Sequence, residues 1–419
     1  MEKLIIKGPT PLRGDIRVSG AKNAALPIMA SALLASGTHK ITGTPHLRDI
    51  STMIELLKHI GAAVEWNDEI NITVDKLNVD EAPYDLVKTM RASVLVLGPL
   101  VGHLKHAKVS LPGGCAIGAR PIDQHLKALE AMGAKIQLNE GYVEVRAKEL
   151  HGANFTFDIV TVTGTENIMM AAVLADGKTI LNNVAKEPEV VDLANHLRDM
   201  GADITGAGTD KITINGVAKL KPHPHHIIPD RIEAATLLMA AGITGGQLTI
   251  SNFPSSMLDT AIDKLRSTGM EITIDGDIVH VERNGTLKSV DMTTAPHPGF
   301  ATDLQAQFMA LMSMASGTSI ITETIFENRF MHVPELIRMG ANINVDGGIS
   351  VIKGVKSLKG APVMATDLRA SASLVIAALA AEGTTEIQRI YHLDRGYEKI
   401  EDKLNLVGAD IVRTENKVG

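Results

Sequence analysis

Residues 231–283 read RIEAATLLMAAGITGGQLTISNFPSSMLDTAIDKLRSTGMEITIDGDIVHVER. RIEAATLLMAAG is apolar on almost every side after its polar start, the pattern of a helix buried all round. QLTISN follows as a short strand and MLDTAIDKLRSTG as an amphipathic helix, and MEITIDGDIVHVER alternates about the turn at Gly276 and Asp277 as two strands. One stretch thus holds helix, strand, helix and strand pair, a mixed α/β unit.

The stretch recurs. A Gly closes an apolar-periodic helix at Gly61, Gly133, Gly201, Gly269, Gly340 and Gly408, at spacings of 72, 68, 68, 71 and 68 residues. Units of this length are too long for a solenoid, so six copies predict two globular α/β domains of three copies each. The Pro-rich segment KPHPHHIIPD (Lys221–Asp230) separates the third copy from the fourth. The sixth copy stops after IVRT, one strand short, while KLIIKG (Lys3–Gly8) is a strand with no copy of its own. The first domain is therefore expected to span residues 21–228 and the second residues 1–20 with 229–419, the N-terminal strand completing the second.

The balance of 41 basic against 48 acidic residues, net charge -7, with 3% aromatic residues argues against a surface that tracks nucleic acid. One cysteine cannot form an intramolecular disulfide, the start MEKLIIKGPTPLRG has no apolar signal core, and no apolar run reaches a membrane span. These features point to a soluble, cytoplasmic protein with neither a membrane nor a nucleic-acid partner.

The apolar first helix of each copy starts with polar residues: Lys22 and Asn23, Arg91, Glu166 and Asn167, Arg231 and Glu233, Asp303, then Asp367 and Arg369. Ionised groups at the mouths of buried helices are costly unless they meet partners or a ligand. Helix N-termini favour anions, and Arg48, Arg120, Arg329 and Arg395 near the second helices add guanidinium groups. Any one of these charges could simply pair with a neighbour or a cap. As a set they predict a surface for a small polyanionic substrate.

Between the Gly ending the first helix and the Gly ending the second, five copies hold 24, 24, 24, 23 and 25 residues, and the second copy holds 31. The excess falls at LPGGCAIGAR, Leu111 to Arg120, a position suited to a lid (111–121). It carries the only cysteine, Cys115. A lone cysteine is ordinarily a small buried hydrophobe. Flanked by Gly113, Gly114 and Gly118, with Arg120 nearby, this one instead reads as an exposed thiol able to transfer a proton or react with electrophiles.

No Walker-type loop, G-x-G-x-x-G or G-x-S-x-G occurs. His223, His225 and His226 lie in the Pro-rich segment without Cys or carboxylate at ligand spacing, so no metal is expected.

VSGAKNAALPIMA (18–30), LPGGCAIGARPIDQH (111–125), PHPGFATDLQAQFMAL (296–311), TIFENRFMHVPEL (324–336), ATDLRASASLVIAALAAEG (365–383) and HLDRGYEKIEDKL (392–404) closely resemble the UDP-N-acetylglucosamine enolpyruvyl transferases, over essentially the whole chain. The resemblance implies two inside-out α/β barrel domains of three βαβαββ repeats each, helices buried, with the active site in the interdomain cleft under the lid. It implies that Lys22, Arg120 and Arg395 hold the phosphate of phosphoenolpyruvate and that Arg369 meets the reacting groups. Asn23, Arg91, the run Arg120, Pro121, Ile122, Asp123 and Gln124, then Asp303 and Ile325, contact the UDP-sugar or the intermediate, and Arg329 and Asp367 complete the set. Where the family has a Ser-Val-Gly run at the uridine site, this chain reads Thr161, Val162, Thr163, Gly164.

Phosphoenolpyruvate is a poor electrophile at C2 until C3 is protonated, so a donor and a base on opposite sides are needed. The resemblance assigns these to Cys115 and Asp303, with Lys22 and Arg395 stabilising the departing phosphate, and neither metal nor organic cofactor. The implied partners are the small molecules phosphoenolpyruvate and UDP-N-acetylglucosamine; the oligomeric state is not legible. Other readings of the same architecture are a shikimate-3-phosphate enolpyruvyl transferase, an RNA 3′-terminal phosphate cyclase and a non-catalytic UDP-sugar sensor.

Overall fold

The computed structural model describes residues 2–88, 90–111 and 122–415. Cys115, Arg120 and Pro121, where the sequence places the proton donor and part of the substrate site, lie outside the described residues. The rest divides into two compact units, one from residues 20–228 and one from residues 2–19 and 229–415. Among the described residues no helix is long and apolar enough to cross a membrane.

Each unit is built on three helices that pack on one another at its centre. In the first unit these are Lys22–Ser31, Leu97–Leu104 and Val162–Ala172, and in the second Arg231–Thr244, Gln305–Met312 and Leu368–Ala380. Nearly every side chain on them is buried, including Ile28, Met29, Met170, Leu238, Phe308 and Leu374. At about 1.5–3 kcal/mol for each large apolar side chain withdrawn from water, this centre supplies the main driving force for folding. The reading of single continuous helices needs one refinement. In the second copy Arg91–Val96 is a 3-10 turn and the α-helix starts only at Leu97, where Pro99 sits in the first turn and needs no intrahelical N–H partner. The close approach there is tight: a Cβ on Gly98 would lie 2.0 Å from the Asn167 carbonyl oxygen.

Three four-stranded sheets surround each helical centre, and all six share one strand order. A short strand pairs parallel with the strand after the buried helix, which pairs antiparallel with the second arm of the hairpin, whose first arm forms the edge. The closing glycines all have positive φ, from 92° to 119°; at Gly61 the N–H reaches the carbonyls of Leu57 and Lys58. That left-handed residue is what the 68- to 72-residue spacing marks.

Three strands lie outside the simple repeat. Glu2–Gly8 sits between Gly383–Gln388 and Asp410–Glu415, so Leu4 faces Ile387 on one side and Arg413 on the other. It fills the slot that a second hairpin arm occupies in the other five sheets. Arg13–Arg17 supplies the parallel edge of the fourth copy's sheet, beside Gln247–Ser251. His225–His226 does the same for the first copy, beside Ile41 and Thr42, so the segment read as a featureless linker contains a strand. Two residues framed by prolines give no period that a sequence reading could detect.

Four histidines are buried among the described residues, His39, His125, His196 and His332, and burial lowers the proton affinity of each. Burial, then the charges of His225, His39 and His223, pushes His196 down to about 3. Its ring lies 4.7 Å from that of His225, whose Nε2 is 3.2 Å from Asp192 Oδ1. Burial followed by Arg91 takes His125 to about 4, and burial takes His332 to about 4 against the opposing pull of Asp367. A histidine depressed in the folded state costs nothing above the ordinary value of about 6.5. Below it the unfolded chain takes up protons that the folded chain refuses, so stability falls by about 1.4 kcal/mol per pH unit for each such group until the folded value is reached. Buried carboxyls such as Glu166, raised by burial, oppose this trend, so the difference is read: between about pH 6.5 and 4 the urea midpoint should fall more steeply in the parent than in His196→Leu, and the two should run parallel from about pH 8 to 7. An identical slope in parent and variant would refute the assignment.

Candidate active site

In the second unit the polar starts of the three central helices come together. Asp230 caps Arg231–Thr244 by accepting from the N–H groups of Ile232 (2.8 Å) and Glu233 (3.1 Å). Asp367 caps Leu368–Ala380 in the same way, from Arg369 (2.9 Å) and Ala370 (3.0 Å). This Asp367 carboxylate, expected among the substrate contacts, thus has a local structural role.

Asp303 differs. It lies in the 3-10 turn Thr302–Leu304 ahead of Gln305–Met312, and its carboxylate reaches sideways to two guanidinium groups. Arg329 Nη2 donates to Oδ1 at 2.7 Å and Arg369 Nη2 to Oδ2 at 2.8 Å. Both arginine side chains are about 5% exposed or less, whereas that of Asp303 is 28% exposed, so the carboxylate is the accessible member of the trio. Burial alone would push the Arg369 guanidinium down; the Asp303 charge, the first of the opposing influences, outweighs it and holds it raised. Arg369 Nη1 is buried and has no acceptor among the described residues, an N–H that an anionic ligand could satisfy.

Ile325 donates its N–H to Glu323 Oε1 at 2.8 Å. Glu323 also accepts from Thr302 Oγ1 (2.9 Å), beside Asp303, and from Thr294 Oγ1 (3.0 Å). No sequence reasoning singled it out; its only signal is a carboxylate at the end of the apolar strand Thr318–Thr322. Arg395 closes the 3-10 segment Ile390–Arg395, and the preceding Asp394 is gripped by the fork of Arg413 at 2.6 and 3.1 Å.

In the first unit Lys22 opens the helix Lys22–Ser31 and its Nζ lies 3.0 Å from Asp49 Oδ2, both side chains being buried. Asn23, next to it, is exposed. Arg91 opens its own 3-10 turn and lowers the proton affinity of His125, which meets Asn167 Nδ2 at 3.0 Å. Ile122 is buried, and Asp123 starts Asp123–Ala131 with Lys127 at 3.7 Å. Gln124 uses its side-chain oxygen on the N–H groups of Asp158 (2.7 Å) and Ile159 (3.3 Å). Thr161 caps Val162–Ala172 by accepting from the Gly164 N–H at 3.2 Å. Burial, then Glu189 and Glu187, raises the Glu166 carboxyl well above its ordinary range.

Among the described residues no group of His, Cys, Asp and Glu is arranged to hold a metal ion. The chemistry on display is a carboxylate between guanidinium groups in one unit and a buried ammonium in the other. The model of EPSP synthase (3-phosphoshikimate 1-carboxyvinyltransferase) matches residues 6–404. The chain belongs to the EPSP synthase family. Within the family it is 58% identical, over 99% of both chains, to the UDP-N-acetylglucosamine 1-carboxyvinyltransferase of Myxococcus xanthus. It is equally similar to the enzyme of that name from Geotalea uraniireducens, over 99% of this chain and 100% of the other. The crystal structure of the enolpyruvyl transferase NikO from Streptomyces tendae superposes with a TM-score of 0.89 at 27% identity over 99% of each chain. EPSP synthase from Acinetobacter baumannii shares the fold at TM-score 0.76 and 20% identity, over 99% of this chain and 100% of that one. This member of the EPSP synthase family is a transferase, and its two-domain α/β fold is that of enolpyruvyl transferases.

The buried pair Lys22–Asp49 makes a separable prediction. Removing one partner of a buried ion pair leaves the other charge uncompensated, at a cost of roughly 3–5 kcal/mol. Asp49→Ala should lower the unfolding free energy by that order in urea titration, and Lys58→Ala, which removes an exposed ion pair, by less than about 1 kcal/mol. Equal effects would show that Asp49 does not carry the Lys22 charge.

Proposed function

We propose that the chain transfers the enolpyruvyl group of phosphoenolpyruvate to the 3′-hydroxyl of UDP-N-acetylglucosamine, releasing phosphate, in the first committed step of peptidoglycan synthesis. The observation that carries this reading is the Asp303 carboxylate, accessible and shared between two buried arginines, one with an N–H left over. The names of its 58% identical relatives supply the substrate class.

The reaction adds and then eliminates. Cys115 gives a proton to C3 of phosphoenolpyruvate while the sugar hydroxyl oxygen bonds to C2 and passes its proton to Asp303. In the tetrahedral adduct the proton steps reverse: the Cys115 thiolate takes a proton back from C3, the C2–C3 double bond re-forms, the C2–O bond to phosphate breaks, and the phosphate leaves with the proton held on Asp303. With a guanidinium donor on each oxygen, the Asp303 carboxylate is placed to accept the hydroxyl proton in the addition step. Arg369 orients the reacting groups through Nη1, and Lys22, Arg120 and Arg395 hold the phosphate as its charge grows. Asn23, Arg91, Ile122, Asp123, Gln124, Ile325, Arg329 and Asp367 shape the site for the UDP-sugar, with Gln124 and Asp367 acting through the backbone they order. The segment 111–121 serves as the lid, and residues 21–228 and 1–20 with 229–419 as the two domains. Both substrates are metabolites of the cytoplasm, where we place the protein.

Phosphate release from phosphoenolpyruvate that depends on UDP-N-acetylglucosamine, and not on shikimate-3-phosphate, is the expected result; the opposite dependence would reassign the substrate. Asp303→Asn should bind UDP-N-acetylglucosamine measurably while kcat falls by about 10²-fold or more. Near-normal turnover would remove Asp303 from the mechanism. Cys115→Asp should keep turnover and lose covalent labelling by a reactive epoxide, and retained labelling would place the reactive group elsewhere.

A further inference from the structure

Behind Asp303 lies a buried polar chain that the reaction as described does not use. Gln307, in the helix Gln305–Met312, donates from Nε2 to the Asp303 carbonyl oxygen at 3.0 Å, and its second N–H is shared between the Tyr397 hydroxyl at 3.1 Å and Thr236 Oγ1 at 3.2 Å. The Tyr397 hydroxyl lies 2.9 Å from Thr236 Oγ1, and Thr236 donates to the Ile232 carbonyl at 2.7 Å. Donor counting fixes the direction. The Thr236 proton is committed to Ile232, so Thr236 accepts from Tyr397, and Tyr397 accepts from Gln307. Burial pushes the Tyr397 phenol up, outweighing the Arg369 charge, so the hydroxyl keeps the proton it donates. The same Tyr397 ring lies 5.7 Å from the Arg369 guanidinium carbon, a cation–π contact on the arginine that holds Asp303 Oδ2. Its N–H donates to the Leu393 carbonyl at 3.0 Å, tying in the segment that ends at Arg395.

We propose that Tyr397, acting through Gln307, is the positioning residue for the catalytic base: it holds the Asp303 turn by a hydrogen-bonded chain and the Arg369 guanidinium by its ring face. One side chain thereby fixes both ends of the carboxylate–guanidinium contact and links all three central helices of the unit. This rests on the reading of Asp303 as the base. Other titratable groups near the trio among the described residues include Asp230 and Asp367 at the helix caps and Glu323 and His332 on the segments around Arg329.

Tyr397→Phe keeps the ring and removes the hydroxyl from the network, leaving Gln307 with Thr236 alone; Gln307→Met removes the link to Asp303 itself. In each, kcat should fall about tenfold with KM for both substrates within about twofold, the loss of one buried hydrogen bond at a reacting group. The double variant should lose no more than the worse single one, because the two residues act as a unit. A looser Asp303–Arg369 contact favours the protonated carboxyl, so the acid limb of kcat should move to higher pH. A merely structural role would lower the thermal midpoint and leave the pH profile of the folded enzyme in place, which overturns the proposal. Carbon-13 NMR of Asp-labelled protein, with the Asp303 signal identified by Asp303→Asn, separates this from a wrong assignment of function. The Asp303 titration midpoint should rise in Tyr397→Phe and Gln307→Met whatever the substrate, and an unmoved midpoint in both variants overturns the positioning role. Absent turnover in the parent protein with a raised midpoint in the variants would sink the reaction and leave the positioning intact.

Discussion

Two guanidinium groups buried in one protein unit cannot stand side by side without an anion between them, and that constraint organises the second unit. Arg329 and Arg369 meet Asp303 at 2.7 and 2.8 Å. Burying an unpaired charge costs several kcal/mol, so the trio exists only if the three helix starts are held at fixed separations. The buried helices Arg231–Thr244, Gln305–Met312 and Leu368–Ala380 provide that rigidity, and the Tyr397–Gln307–Thr236 network crosses between them at the same end. Packing density and site geometry are therefore one requirement, since a core that let a helix slide would also separate the charges.

The repeat was legible because each unit ends a helix on a glycine with positive φ, a position where any other residue is strained. Gly61, Gly133 and their four counterparts thus write the period into the sequence. The buried helices were legible for the complementary reason that an all-apolar run can only be buried. The exchange of edge strands was not. Arg13–Arg17 and His225–His226 join sheets whose other strands lie far away in sequence, and with one buried residue in the first and two residues in the second, neither shows an alternation to read. What closes each sheet is a long-range pairing, and local patterning carries no record of it.

The site divides along the same line. That polar residues at helix mouths need partners followed from the cost of burying charge, and Asp303 with Arg369 satisfies that cost in the structure. Which partners they find did not follow. Asp49 beside Lys22 and Glu323 beside Thr302 come from other elements of the fold, 27 and 21 residues away. Asp367 shows the converse: a residue at a helix start can cap its own helix, and resemblance to a family does not separate that duty from contact with a ligand.

The trio also has a charge balance suited to the proposed reaction. With Asp303 ionised, two guanidinium groups and one carboxylate carry a net single positive charge, enough to attract an anionic substrate while leaving an acceptor for the hydroxyl proton. In the proposed reaction Asp303 takes that proton, its hold on Arg329 and Arg369 weakens and the net charge of the group rises by one. This happens as the tetrahedral adduct forms, so the added positive field appears when the phosphate is about to leave and needs it most. A base flanked by hydrocarbon could also accept the proton, but its neutralisation would free no guanidinium N–H groups for the phosphate. Placing the base between arginines couples proton transfer to leaving-group stabilisation, and the coupling lasts only while the carboxylate stays within hydrogen-bonding distance of both guanidinium groups.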